Sequence, residues 1–131
     1  MAEHPHAALV RKGYEAFNRG DMETLAEMLT GDATHHVPGN SPFSGDYKGR
    51  DEMLAHYRRL AEECDGTMTA TLLNVLVDGR GHAVSVHRVL AKRKGRTIDA
   101  MGGIVFRIIG DKATDLDECM EDIQVSDEFW S

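Results

Sequence analysis

Aromatic side chains are scarce in this 131-residue chain, at 6% of positions with a single Trp, so aliphatic residues must supply most of any core. Cysteine is scarcer still. Cys64 and Cys119 have neither CxxC nor zinc-ligand spacing, which argues against a disulfide scaffold or a zinc module. Both are expected to be reduced and at least partly buried. Basic residues are outnumbered, 15 against 22 acidic ones, for a formal net charge of -7. Nucleic acid needs a basic footprint, so it is not an expected partner. No apolar run approaches the ~20 residues of a membrane helix, and no membrane partner is expected. Met1-Ala2-Glu3-His4-Pro5-His6 has neither a positive nor an apolar segment of the kind a signal peptide carries. The expected location is the cytoplasm. The one basic cluster, Lys92-Arg93-Lys94-Gly95-Arg96, contains a glycine and is expected to be a solvated hairpin tip.

What is present fits one domain over 1–131. The hydrophobic share of 41% and the charged share of 28% are ordinary for a globular protein with one core. The first third reads as helical. Pro5 suits a first helical turn, and Leu9, Val10, Gly13, Tyr14 and Phe17 recur at helical spacing up to Gly20. Asp21 can cap a second helix carrying Met22, Leu25, Ala26 and Leu29. Ala33 to Val37 is a short strand, and Gly39 to Gly49 is rich in turn formers and reads as a loop. Met53, Leu54, Tyr57, Leu60, Ala61 and Cys64 share one face of a third helix that ends at Asp65-Gly66.

The second half reads as strands over 67–77, 82–92, 96–109 and 112–122, divided by glycine turns, with an apolar ending from Val125 to Trp130. Gly102-Gly103 predicts a bulge or sharp bend, which lets a sheet curl around a cavity. The layout is α+β: a cone-shaped, curved antiparallel sheet packed on three N-terminal helices, with one internal pocket.

Several segments carry a resemblance. They are Asn18-Arg19-Gly20-Asp21, Gly31-Asp32-Ala33-Thr34 with the following Pro-Gly loop, and Ser44-Gly45-Asp46-Tyr47-Lys48-Gly49-Arg50. Val105-Phe106-Arg107 and the Phe129-Trp130 ending belong with them. Together they resemble the nuclear-transport-factor-2-like superfamily, cystatin-like in fold, and most of all its SnoaL-like branch of polyketide cyclases beside ketosteroid isomerase. The resemblance implies a small hydrophobic molecule as partner, no cofactor, and a homodimer formed through the outer sheet face. The isomerase pattern needs a basic carboxylate and an oxyanion hole made by a tyrosine and a protonated acid. Placed by the same landmarks, those roles fall on Val37, Gly13 and Ile104, and all are empty. Tyr14 is ~100° around the helix from Gly13 and does not simply substitute. The Arg and Asp of the related limonene epoxide hydrolase stand two apart on one strand, whereas Arg96 and Asp99 are three apart and point to opposite faces.

Strand parity then selects what can line the pocket. His87 and Val89 share a face, as do Glu118, Met120 and Asp122 on the last strand. A general base at His87, with Glu118 or Asp122 as acid or orienter, could remove and return a proton in an isomerase, cyclase or lyase. A binding pocket without turnover is the alternative. Further ligand-contacting candidates are Tyr14, Phe17, His35, His36, His56, Tyr57, Ile104 and Phe106, with Tyr57 matching the family's pocket tyrosine and His36 facing away from His35 if the strand is regular. Adjacent strand residues diverge, so His35-His36 is not read as a metal site.

Overall fold

The structure is a computed structural model and describes residues 3–131. Helix α1 spans Pro5–Arg19, with Pro5 opening it and Gly20 closing it in the left-handed conformation. Asp21 caps α2, Met22–Glu27, by accepting the Thr24 N–H at 3.0 Å. The chain then enters β1, Leu29–Val37, at once. The expected second helix is therefore shorter, and the first strand longer, than the apolar pattern suggested. Leu29 packs in the core from a strand rather than from a helix. β2, Gly45–Lys48, returns antiparallel along β1 in a segment expected to be loop. It has no β-branched residue, and its strand character comes from pairing with β1.

Helix α3 covers Arg50–Glu63 and buries Met53, Leu54, His56 and Tyr57. Then come β3 (Thr69–Val77), β4 (His82–Arg93), β5 (Arg96–Ile109) and β6 (Lys112–Met120) as an antiparallel meander. The six strands lie in the order β2-β1-β6-β5-β4-β3, and β1 runs parallel to β6. A fourth helix, α4 (Ile123–Trp130), follows where only an apolar ending was expected. Its signal was legible: Asp122 accepts the Val125 N–H at 3.1 Å as N-cap, and Ser126, Phe129 and Trp130 recur on one buried face. Loss of this cap in Asp122→Ala should cost about 1 kcal/mol, read as a lower denaturation midpoint with an unchanged slope.

Gly102-Gly103 makes no bulge. The β4–β5 register runs without a shift through His87↔Gly102 and Val86↔Gly103. The pair is needed for close approach instead, because a Cβ on Gly103 would lie 2.2 Å from the Ser85 carbonyl oxygen. The basic turn is also less solvated than its composition suggested. Arg93 is buried, bonds Glu63 at 3.0 Å, and donates to the carbonyls of Phe129 and Ser131, which ties α4 to the sheet. Arg96 donates to the Glu128 carbonyl beside it. Cys64 is buried, but Cys119 faces outward and is exposed. No described helix is long and apolar enough to cross a membrane.

Candidate active site

A cavity of about 170 Å³ lies between the helices and the concave face of the sheet. Its wall is mostly aliphatic. Val89, Ile104, Phe106 and Met120 all line it, as the strand parity required, and Phe17 meets Tyr57 edge-on at 5.9 Å. Two polar constellations interrupt that wall.

The first joins α1 to β4. The Tyr14 hydroxyl lies 2.6 Å from His87 Nδ1 and 2.7 Å from Ser85 Oγ. Ser85 Oγ also accepts the Ile104 N–H at 3.0 Å. The Ser85 proton can go to Tyr14 at 2.7 Å or to the Ile104 carbonyl at 3.4 Å, and the shorter contact is the stronger. The favoured order is Ser85 O–H to Tyr14, then Tyr14 O–H to His87 Nδ1. That order leaves the proton of a neutral imidazole on Nε2. Gly102 sits below this nitrogen. A Cβ there would be 2.9 Å from Nε2, so the missing side chain keeps it uncovered. Burial lowers the His87 pKa, with the Glu118 charge opposing, so the ring is held in its neutral form. Burial raises the Tyr14 pKa, and Tyr14 remains a donor.

The second constellation joins β1, α3 and β6. The buried His35 ring lies 2.7 Å from the Tyr57 hydroxyl through Nδ1 and 2.8 Å from Glu118 Oε1 through Nε2. With Tyr57 donating to Nδ1, the Nε2–H donates to the carboxylate. Glu118 Oε2 has no such partner among the described residues. Burial pushes the Glu118 carboxyl up. The hydrogen bond from His35, together with the imidazoles that face the carboxyl, outweighs it and holds the group below its ordinary value. It is an ionised carboxylate with one oxygen fixed. Burial, reinforced by the Glu118 charge, raises the Tyr57 pKa and keeps its proton on.

His56 completes this wall. It stacks on Tyr47 with ring centroids 3.8 Å apart, and its Nδ1 is buried without a hydrogen-bond partner. Burial, assisted by His35, lowers its pKa to about 4. A histidine whose native pKa lies below the unfolded value binds its proton more readily when unfolded. Stability should therefore fall as pH drops from about 6.5 towards 4, by about 3 kcal/mol at the low end from this group. Glu118 and His87 act in the same direction. Denaturant titrations across this range should show the slope, and His56→Phe should flatten it while keeping the stack on Tyr47.

Two expected site residues are elsewhere. His36 does not line the cavity. It faces outward from β1, and its Nδ1 lies 2.6 Å from Asp46 on β2, because alternate strand residues take opposite faces. Asp122 is at the exposed mouth, with its carboxylate occupied in capping α4, so it is not a partner for His87. Tyr14 differs from expectation too. Gly13 and Tyr14 both line the cavity, and a hydroxyl reaches it from a position displaced on the helix. Ser85 was missed. Its only sequence signal was its parity with His87, two residues on in the same strand. The His35–Glu118 bond was missed because it crosses between strands 83 residues apart.

Residues 10–116 match a family described as a SnoaL-like domain. An uncharacterised protein of Mycobacterium tuberculosis, Rv0034, is 33% identical over the whole of both chains. Bal32a, from a soil-derived mobile gene cassette, is 40% identical and superposes with a TM-score of 0.95 over 97% of each chain. A protein of Jannaschia sp. CCS1, provisionally named a SnoaL-like polyketide cyclase, superposes with a TM-score of 0.80 over 100% of this chain and 98% of its own. At 13% identity that likeness is one of fold.

Proposed function

The chain belongs to the SnoaL-like domain family of the nuclear-transport-factor-2-like superfamily, and from that footing we propose that it is an isomerase, cyclase or lyase that moves protons on a small hydrophobic carbonyl compound without a cofactor. The observation that carries the reading is an ionised carboxylate held by His35 and a neutral imidazole held by Tyr14, on the wall of one apolar cavity.

The roles follow from the hydrogen bonds. Glu118 Oε2 takes a proton from the carbon beside the substrate carbonyl, while His35 holds Oε1. His87 Nε2–H donates to the carbonyl oxygen, where negative charge collects in the enolate. Glu118 then returns its proton to a carbon, which completes an isomerisation. In a cyclisation the enolate carbon instead attacks a second carbonyl, and the new alkoxide takes the proton. This reverses the assignment drawn from sequence, which made His87 the base. Glu118 is the group already charged, and the Tyr14 hydroxyl places the His87 proton on the nitrogen above Gly102. Enolisation can be followed without the natural substrate, as deuterium uptake from heavy water at the carbon beside a ketone. Uptake above the buffer rate that disappears in Glu118→Gln and His87→Ala supports the reading. Binding of ketones with no uptake would leave a binding pocket.

The outer sheet face is proposed to meet a second copy of the chain. Leu76, Val84 and Val105 stand in one cross-strand row, with Leu90 and Met101 exposed nearby. The Arg88–Asp99 ion pair on the same face offers both charges to a two-fold mate. Val84→Glu should turn a dimer into a monomer by light scattering. A wild-type monomer at micromolar concentration would refute the pairing.

A further inference from the structure

The cavity's size and charge restrict the substrate more narrowly than its chemistry does. An apolar protein cavity of about 150 Å³ accommodates a benzene ring. The cavity here is about 170 Å³, which suits one ring with short substituents, on the order of ten non-hydrogen atoms. Four fused rings exceed it. Gly13 and Met28 both line it, and Met28 Cε would stand 3.2 Å from a Cβ on Gly13, so the thioether occupies the room that the glycine leaves.

The charges are one-sided. Glu118 is a carboxylate inside the cavity, held below its ordinary pKa range. Glu121 and Asp122 are exposed at the mouth. Glu121 is fixed there, with Oε1 accepting the Met101 N–H at 3.0 Å. No Lys or Arg lines the cavity among the described residues. An anionic ligand would pass two carboxylates and then meet a third in a low-dielectric site with no cation for a partner, a like-charge arrangement that costs affinity steeply.

We infer that the substrate is an uncharged carbonyl compound of about one ring, entering free rather than as a carboxylate, a phosphate or a thioester of an anionic carrier. The inference rests on the proposed reading for its carbonyl group, but its size and charge limits stand on the cavity alone.

Three probes separate the possibilities: the methyl ester of a cyclohexanone carboxylate, the free cyclohexanone carboxylate, and androstenedione. Trp130 lines the cavity and is the only tryptophan, so its fluorescence reports occupancy. The ester is expected to bind at least tenfold more tightly than the carboxylate at neutral pH. The gap should narrow on acidification as carboxylates take up protons. Androstenedione is expected not to compete with the ester. Equal binding of ester and carboxylate would overturn the charge limit, competition by the steroid would overturn the size limit, and no binding of the ester would overturn both. Deuterium uptake by the bound ester is read separately. Its absence with the binding order intact would defeat the enolisation reading and leave the size and charge limits standing.

Discussion

Glu118→Gln should abolish most deuterium uptake at the carbon beside a bound ketone, by about 10²- to 10⁴-fold, with little change in stability. The amide is nearly isosteric with the carboxylate, and its oxygen can still accept the His35 Nε2–H that now meets Oε1. What it cannot do is take up a proton. The comparison variant is Tyr57→Phe. It removes the donor 2.7 Å from His35 Nδ1 while leaving the carboxylate in place, so its loss should be smaller. His35 could then exchange its tautomer, and the pH dependence of the rate should broaden on the acid side. If Glu118→Gln retained the wild-type rate, the base would have to be another group on the same cavity, His87 or His56.

The second large effect is on folding. Gly103→Ala should destabilise the protein by more than about 3 kcal/mol or leave it insoluble. Its Cβ would fall 2.2 Å from the Ser85 carbonyl oxygen and 3.3 Å from the Ser85 carbonyl carbon. Both are backbone atoms of the neighbouring strand, so no side-chain rotation relieves the clash. β4 and β5 would have to separate at the residues that carry Ser85 and His87. Gly31→Ala is the control, since a Cβ there meets nothing within 4 Å, and it should be close to neutral. Thermal melts of the two variants beside the wild type decide the matter, and similar midpoints for both would refute the close-approach reading.

The contrast between those glycines marks what a linear reading can reach. Paired glycines in a strand announced a special backbone site, but two causes produce the same letters. A bulge is local, whereas a close approach depends on which strand lies alongside, and that neighbour is known only once β4 and β5 are in register. The same holds at α4. Asp122 on a strand face reads as a pocket acid, and Asp122 before a helix reads as a cap. The three buried residues of 126–130 were available to tell the two apart, and the cap is what formed.

His87 shows the other side of the matter. Its strand, its face and its neighbour Val89 follow from period-two alternation, which sterics impose wherever a sheet has one buried face. Alternation also put His35 and His36 on opposite faces, and left open which of them faces inward. From the sequence alone came the resemblance to the SnoaL-like fold, the long strands of the second half, the aliphatic wall and the candidate set of His87 with Glu118 or Asp122. Hydrophobic periodicity and turn chemistry are encoded within a few residues, so they are visible without a fold. Tertiary structure alone decided that His35, itself bonded to Tyr57, holds Glu118, that Tyr14, itself bonded to Ser85, orients His87, and that the cavity is about 170 Å³. Hydrogen bonds between residues 71, 73 and 83 positions apart, and the empty space between packed layers, have no local signature, because each depends on where distant elements come to rest.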